Sequence, residues 1–223
     1  MQANTETFIK EAGGRVLGGA RAPLGTTDFS AYLLQAKASG AKIIGLANAG
    51  TDLQNCIKQA HEFGIVAAGQ RLATLLMMIP DVLALGQDTR RGLVLSNSFY
   101  CNQSDAARTW SDRYATTMNK PPTEYNAASY AAITHWLRAA QSANTLDADT
   151  VAAKMHELPV EDFYNKAVRI LANGCVPNAM YLWEVKPEAE SKRRWDVYNL
   201  LSTIPSPDAY PPVGMFGCPL APA

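Results

Sequence analysis

The sequence predicts an α/β protein that is built around a parallel β-sheet. Short apolar runs alternate with helical patterns through the first hundred residues, and most of these helical patterns end at a glycine. The clearest apolar run, KIIGLA, is typical of a strand that is covered on both faces. Alternation of strand and helix at this pitch predicts right-handed βαβ units and therefore a parallel sheet. The 223 residues are enough for one large domain or two small ones.

The first two helices flank a predicted strand. The amino-terminal helix ends at Gly13, and the segment Gly14–Ala20 (GRVLGGA) has the composition of a short strand. Asp28 can cap the second helix, which ends at Gly40. The apolar positions of the first helix are Phe8, Ile9 and Ala12. Those of the second helix are Phe29, Tyr32, Leu33 and Ala36, which share one face.

A third helix begins near Thr51, directly after the KIIGLA strand, and the strands ATLLMMI and GLVLSNSFY follow. Its apolar positions are Leu53, Cys56, Ile57 and Ala60. The pattern changes near Tyr100, where three helices are predicted: one capped by Ser104, a long one with Tyr130 and Trp136, and one over 148–156 with Val151 inward. The remaining segments AVRILANG, NAMYLWEVK and RRWDVYNLLSTIP are β-like, and EVKPEAESKRRWD indicates a solvated turn.

No motif for catalysis or for a cofactor is present. The dinucleotide pattern G-x-G-x-x-G, the phosphate-loop G-K-[ST] and the nucleophile elbow G-x-S-x-G are all absent. The histidines His61, His135 and His156 lie in predicted helices, without the spacing of metal ligands. The formal net charge is zero, which argues against nucleic acid as a partner. No apolar run reaches the roughly 18 residues of a membrane-spanning helix. We therefore predict a protein without cofactors that is not an enzyme.

A ligand-binding edge is predicted where two strands end. Asn48, Ala49 and Gly50 follow one strand, and Met77 and Met78 end the next. In an open parallel sheet, ligands bind beyond the carboxyl ends of the strands. The small residues let a ligand approach the backbone, and the start of the following helix favours an anion such as a carboxylate. Packing in the core is the alternative role for the two methionines.

The four cysteines leave the redox state open. They are widely spaced and form no C-x-x-C motif, so disulfides and buried free thiols are both compatible with the sequence. They are Cys56, Cys101, Cys175 and Cys218.

Several segments together resemble a known family. They are GGRVLGGARAPLGTTDFSAYLLQAKASGAKIIGLANAGTDLQNCIKQAHEFGI, NAASYAAITHWLRAA, YLWEVKPEAESKRRWDVYNLLSTIP and the terminal GCPL. In order and spacing they resemble the type I periplasmic solute-binding proteins of ABC importers, in the branched-chain amino acid (leucine/isoleucine/valine-binding) group. This resemblance implies two α/β lobes that close over a small-molecule solute, and a membrane permease as partner. It implies a periplasmic receptor without catalysis, although the first residues do not form a signal peptide.

The resemblance also implies how the chain is divided. Residues 1–99 correspond to βα units of the second lobe, 100–163 to a helical portion of the first lobe, and 164–223 to the final crossing segment, β-like segments and a carboxyl-terminal extension. The amino-terminal part of the first lobe has no counterpart, so we expect a truncated form of the fold. An internal start or gene fragment, a processed or truncated chain, and a genuine half-receptor all fit. Exposed apolar faces around Trp110, Tyr130 and Trp136 would then favour self-association.

The resemblance adds two residues to the predicted site. Tyr125 stands where the family places an aromatic residue that lines the cleft, and Tyr100 lies near a predicted crossing. The segment LLMMIPD, with Asp81 as the nearby carboxylate, stands where amino-acid binders carry an acid. Such an apolar cleft suits an aromatic or aliphatic carboxylate as well as an amino acid. The resemblance also allows a disulfide between Cys218 and either Cys175 or a cysteine of the missing first part. The alternative function is a cytosolic ligand-sensing regulator of related fold.

Overall fold

The computed structural model describes residues 1–210. The α-helices in this range are α1 Gln2–Glu11, α2 Ser30–Ala38, α3 Gly50–Glu62, α4 Ile79–Ala84, α5 Gln87–Arg90, α6 Asp105–Met118, α7 Glu124–Ala143, α8 Ala148–Glu157 and α9 Ser206–Ala209. The strands are β1 Ile43–Leu46, β2 Arg71–Thr74, β3 Val94–Asn97, β4 Met180–Val185 and β5 Tyr198–Ile204. The chain divides into two compact units. Unit 1 is Met1–Ser96 with Leu182–Leu201, and unit 2 is Asn97–Tyr181 with the described residues from Ser202 onward.

The strands are arranged in the order β1-β2-β3-β4-β5. β1 pairs with β2 and β2 pairs with β3, both in parallel, with Ile44 opposite Leu72 and Thr74 opposite Leu95. The predicted parallel sheet is therefore confirmed. Each of these strands is joined to the next by helices, as the alternation of patterns predicts.

Only one face of β1 is covered. Ile44 and Leu46 are buried, whereas Ile43 is 61% exposed. The prediction that KIIGLA is covered on both faces is wrong for the described part of the chain. Because successive side chains of a strand point to opposite faces, a sheet covered on one side buries only every second residue.

The strand predicted for Gly14–Ala20 is absent, because these residues have no regular secondary structure. A strand is stabilised by hydrogen bonds to a neighbouring strand, and β1, the nearest candidate in the order, pairs with β2 alone among the described strands. The next prediction, ATLLMMI, is correct only at its beginning, since β2 ends at Thr74. The methionines of that segment lie at the start of α4 rather than in a strand.

Helix α3 packs as its periodicity predicts. Its apolar positions Leu53, Cys56, Ile57 and Ala60 are all buried. Gln59, on the same helix, fixes the segment that leads into α2. Its side-chain oxygen accepts a hydrogen bond from the Phe29 N–H at 2.7 Å, and its side-chain nitrogen donates to the Thr27 carbonyl at 2.8 Å. These contacts hold the segment that precedes α2 against α3.

In unit 2, the long helix α7 buries four alanines and one histidine, and it exposes large apolar residues. Its buried positions are Ala127, Ala131, His135, Ala139 and Ala140. Tyr130 is 38% exposed, Ile133 61% and Trp136 40%. The exposure predicted for Tyr130 and Trp136 is therefore observed. Trp110 of α6 is only 7% exposed, so the prediction that its surroundings are open is wrong.

An aromatic cluster covers Trp110. Its indole stacks on the Phe163 ring at 4.3 Å between centroids with an interplanar angle of 10°. Phe99 meets the indole edge-on at 5.9 Å, and Tyr130 meets it at 5.5 Å. Such geometries are favourable beyond the area that they bury. The cluster therefore encloses Trp110 within unit 2, and it is made from residues that are distant in sequence.

The β-like segments give mixed results. NAMYLWEVK and RRWDVYNLLSTIP contain β4 and β5. AVRILANG contributes only an isolated antiparallel bridge between Val160 and Val168. The predicted helix over 148–156 is α8, in which Val151 is buried as expected.

Candidate functional site

The candidate site in unit 1 is the edge of the sheet where β1 and β2 end. The Leu75 N–H donates to the Leu46 carbonyl at 3.0 Å, so the two strand ends stay side by side. Three predicted residues, Asn48, Ala49 and Gly50, follow β1 directly. The structure therefore brings this loop and the residues after β2 to one edge, as parallel pairing requires.

Ala49 and Gly50 form the open part of this edge. Ala49 is the N-cap residue of α3, and both residues are exposed. Gly50 has φ +57°, a left-handed conformation in which a side chain costs about 1–2 kcal/mol. A Cβ at Gly50 would meet no atom within 4 Å. The glycine is thus favoured by the backbone conformation, and the space beside it is open to a ligand.

Asn48 is directed toward its own helix. Its side-chain nitrogen donates to the Asp52 carbonyl at 3.3 Å, and the Cys56 thiol lies beside the same amide. Burial raises the pKa of the Cys56 thiol, and the hydrogen bond with the Asn48 amide opposes that rise. Asn48 therefore stabilises the loop conformation. Its role as a ligand contact stays a prediction.

The two predicted methionines differ in burial. Met77 is 2% exposed and packs in the core of unit 1, whereas Met78 is half-buried and is the N-cap residue of α4. The Met78 N–H donates to one carboxylate oxygen of Asp81 at 3.1 Å, and the Gln54 side chain donates to the other at 2.9 Å. Asp81 is thus occupied by contacts within unit 1.

The two predicted residues of unit 2 also differ. Tyr125 is 53% exposed in the first turn of α7, where its ring is available to a ligand. Tyr100 is buried, and its N–H donates to the side-chain oxygen of Gln103 at 2.8 Å. Their roles as ligand contacts stay predictions.

Sequence reasoning missed a polar cluster in unit 2 that lies next to Tyr125. The Glu124 carboxylate accepts a hydrogen bond from the Ser98 N–H at 3.3 Å. The Tyr164 hydroxyl donates to the Ser98 hydroxyl at 2.6 Å. Ser98 therefore contacts Glu124 of α7 and also Tyr164, which lies 66 positions later in the chain. Only the acid in the first turn of a capped helix was visible in the sequence, in the segment TEYN.

Burial changes the ionisation of this cluster. It raises the pKa of the Glu124 carboxyl, and the hydrogen bond from the Ser98 N–H opposes that rise. Burial also raises the pKa of Tyr164 to about 12, and the hydrogen bond with Ser98 lowers it in part. Charges on Tyr210, Glu124 and Tyr181 add to the rise for Tyr164. The tyrosine therefore stays protonated, as a hydrogen-bond donor must.

The stability of the protein should fall as pH rises through the titration of Glu124. The folded state holds the Glu124 proton above the ordinary pKa of 4.5, whereas the unfolded state releases it near 4.5. Folding is therefore favoured by this group below 4.5, and that contribution is lost as pH rises through the raised pKa. Urea unfolding between about pH 4 and about pH 8 should show this fall for the wild type and not for Glu124→Gln.

The matched control for this prediction is Glu161→Gln, at an exposed glutamate of the same unit. We expect its stability to follow that of the wild type at every pH. If wild type and Glu124→Gln instead show parallel stability curves, the buried carboxyl does not couple folding to pH.

Neither a metal site nor a membrane span is present in the described residues. Residues 1–210 contain no group of three or more His, Cys, Asp or Glu side chains that could hold a metal ion. In the same range no helix has the length and apolarity needed to cross a membrane. Cys56 is buried and Cys175 is exposed, and neither forms a disulfide within residues 1–210. Cys218, which the resemblance allows to pair with Cys175, lies outside the described residues.

Comparison with known proteins decides the family. The profile described as "Periplasmic binding protein" matches residues 1–192. The chain belongs to this family. The periplasmic binding protein fold accounts for the parallel sheet of unit 1, and the predicted α/β class of type I is confirmed.

Solved structures agree with this membership. The chain is 45% identical to a periplasmic binding protein from Burkholderia mallei, with a TM-score of 0.90, covering 98% of this chain and 58% of that one. It is 32% identical to a branched-chain amino acid ABC transporter periplasmic ligand-binding protein from Burkholderia xenovorans, with a TM-score of 0.86, covering 95% and 57%. A solute-binding protein from Rhodopseudomonas palustris in complex with 4-hydroxybenzoate shares the fold at 20% identity, with a TM-score of 0.77, covering 92% and 56%.

Structural neighbours of the chain include members of the predicted group, the branched-chain amino acid binding proteins of ABC transporters. The chain spans less than three fifths of the length of these relatives. No match was found among curated proteins.

Proposed function

We infer that this chain is the solute-binding component of an ABC importer and that it acts in the periplasm without catalysis. The observation that carries this proposal is the 45% identity to a periplasmic binding protein over 98% of the chain. The importer's membrane permease would receive the loaded protein. Binding rather than chemistry also suits the candidate edge, which offers exposed backbone at Ala49 and Gly50 and the half-buried side chain of Met78.

The chemistry of the same edge supports a carboxylate as the solute. The start of α3 presents N–H groups and the positive end of the helix dipole, which favour a carboxylate. Asp81 already accepts two hydrogen bonds within unit 1 and is a poor partner for an ammonium group. We therefore place organic carboxylates, aromatic acids included, beside small amino acids as candidate solutes. The 4-hydroxybenzoate bound by a relative of the same fold makes this class worth testing.

A thermal-shift screen tests the solute class. The panel should contain leucine, isoleucine, valine, benzoate and 4-hydroxybenzoate. A ligand at about one hundred times its Kd stabilises the folded state by about 2.7 kcal/mol, so the melting temperature should rise with ligand concentration. Absence of a concentration-dependent rise for every compound would contradict the proposed class.

The edge itself is tested by Ala49→Glu. A carboxylate at the N-cap position is compatible with the helix dipole, but it should repel the carboxylate of the solute. We expect the Kd measured by calorimetry to rise by about tenfold or more, which is about 1.4 kcal/mol. Ala38→Glu, at the exposed end of α2, is the matched control and should bind as the wild type does. If both variants bind the solute with equal affinity, the solute does not bind at this edge.

A further inference from the structure

The loop that joins β4 to β5 carries three consecutive basic residues at its surface. Lys192, Arg193 and Arg194 are all exposed. The sequence predicts a solvated turn here, and for these three side chains that is correct. The same loop nevertheless contains an ion pair that is almost buried, so it is not a loose turn.

Asp196 organises the loop from the inside. Its carboxylate accepts hydrogen bonds from the Lys186 ammonium group at 2.8 Å and from the Lys192 N–H at 2.9 Å. The Ser191 hydroxyl donates to the Asp196 carbonyl at 2.6 Å. The side chains of Lys186 and Asp196 are only 9% and 15% exposed. The inner cation is therefore neutralised, and the backbone that carries the basic residues is fixed.

The end of the basic run is also held in a specific conformation. The Arg194 guanidinium lies 4.1 Å from the centroid of the Trp195 ring. Trp195 has φ +61°, a left-handed conformation that costs a bulky residue on the order of 1–3 kcal/mol. The Asp196 N–H donates to the Arg193 carbonyl at 3.2 Å and closes this turn. The loop thus presents the Arg194 guanidinium on a fixed backbone, and this preorganisation lowers the entropy cost of binding.

The charge pattern indicates which kind of partner fits. From 186 to 196 the loop has four basic and three acidic residues, so its net charge is only +1. Each basic residue near an anionic membrane contributes about 1 kcal/mol of binding free energy. A net charge of +1 is therefore a weak membrane anchor. Rigidly held arginine and tryptophan are typical of protein interface hot spots, and guanidinium groups pair with carboxylates through two hydrogen bonds. An acidic protein surface is therefore favoured over lipid.

We propose that the 192–194 segment docks on an acidic surface of the importer's membrane permease. The guanidinium groups of Arg193 and Arg194 pair with carboxylates of the permease, and Lys192 adds a third positive charge. The acidic residues Glu188 and Glu190, in the 3-10 helix of the same loop, oppose binding in a shifted register. This inference rests on the proposed function, since it assumes that the chain serves an importer.

The test measures binding of the chain to that permease, identified by gene neighbourhood and reconstituted in phosphatidylcholine nanodiscs. The variant K192E/R193E/R194E reverses the charge of the loop. The variant K10E/K42E/K58E makes the same change in net charge at exposed positions elsewhere in unit 1. We expect the loop variant to lose affinity by about tenfold or more, the control to stay within about twofold of the wild type, and added salt to weaken wild-type binding.

Three results would overturn the inference: no binding of the wild type to the permease, equal losses in both variants, or wild-type binding to empty phosphatidylglycerol nanodiscs that the loop variant lacks. The last result would assign the loop to the membrane. Equal melting temperatures of the three proteins verify that each is folded. Solute-dependent thermal shifts on the same samples separate the two proposals. A solute-dependent rise in melting temperature without docking contradicts only the proposal that the 192–194 segment docks on the permease. Docking that depends on the loop, without any rise in melting temperature, contradicts only the proposed solute class.

Discussion

Replacing Trp110 with alanine should lower the free energy of unfolding by about 3–5 kcal/mol, the range observed for large aromatic residues in a core. Trp110 is 7% exposed and stacks on Phe163 at 4.3 Å, with Phe99 against its edge. Alanine would leave a cavity between these rings and remove the aromatic contacts of the indole. Urea denaturation followed by circular dichroism would measure the change.

Trp136→Ala is the matched control, because it removes the same side chain from a neighbouring helix of unit 2. Trp136 is 40% exposed, so its removal should cost about 1 kcal/mol or less. If both variants lose the same free energy, the aromatic cluster does not enclose Trp110 in solution.

Asp196→Ala should be similarly damaging, at about 3–5 kcal/mol, although it lies in a loop. The variant leaves the Lys186 ammonium group almost buried without its carboxylate partner. Burial alone would raise the pKa of Asp196, but hydrogen bonds from Lys186 and the Lys192 N–H, with the charges of Lys186 and Arg193, hold that pKa below 3.8. The contribution of the pair is therefore present above pH 3.8 and is lost as pH falls through the lowered pKa.

Two further variants identify the cause of that loss. Glu184→Ala breaks the ion pair with Arg71 in the same unit, where the side chains are 33% and 54% exposed, and should cost less than about 1 kcal/mol. The double variant Lys186→Met, Asp196→Leu removes both charges and should recover most of the stability. If the double variant is as unstable as Asp196→Ala, lost packing rather than an uncompensated charge explains the effect.

The predictions that succeeded rest on local periodicity. The stripe of α3, including Leu53 and Ile57, is buried because residues three and four apart share one helix face. Ser104 caps α6 because its hydroxyl reaches the Ala107 N–H within the same turn. Both features depend on neighbours in the chain, so the sequence is sufficient to predict them.

The predictions that failed depend on distant partners. Gly14–Ala20 has the composition of a strand, but a strand needs a second strand beside it. Trp110 is covered by Phe163, and no pattern in the sequence relates the two. The candidate site shows the same division. Ala49 and Gly50 were found from the strand end that precedes them, whereas the contact between Ser98 and Tyr164 joins residues 66 positions apart.

The sequence by itself determined the α/β class, the helices with strong periodicity, the end of β1 as a candidate binding edge, and the family. These features are encoded by short-range spacing or by the order of whole segments. Only the tertiary structure decided which face of β1 is covered, that Met77 is buried while Ala49 is open, and that Lys186 and Asp196 form an almost buried pair. Burial depends on what packs above a residue, and those neighbours are brought together only when the chain folds.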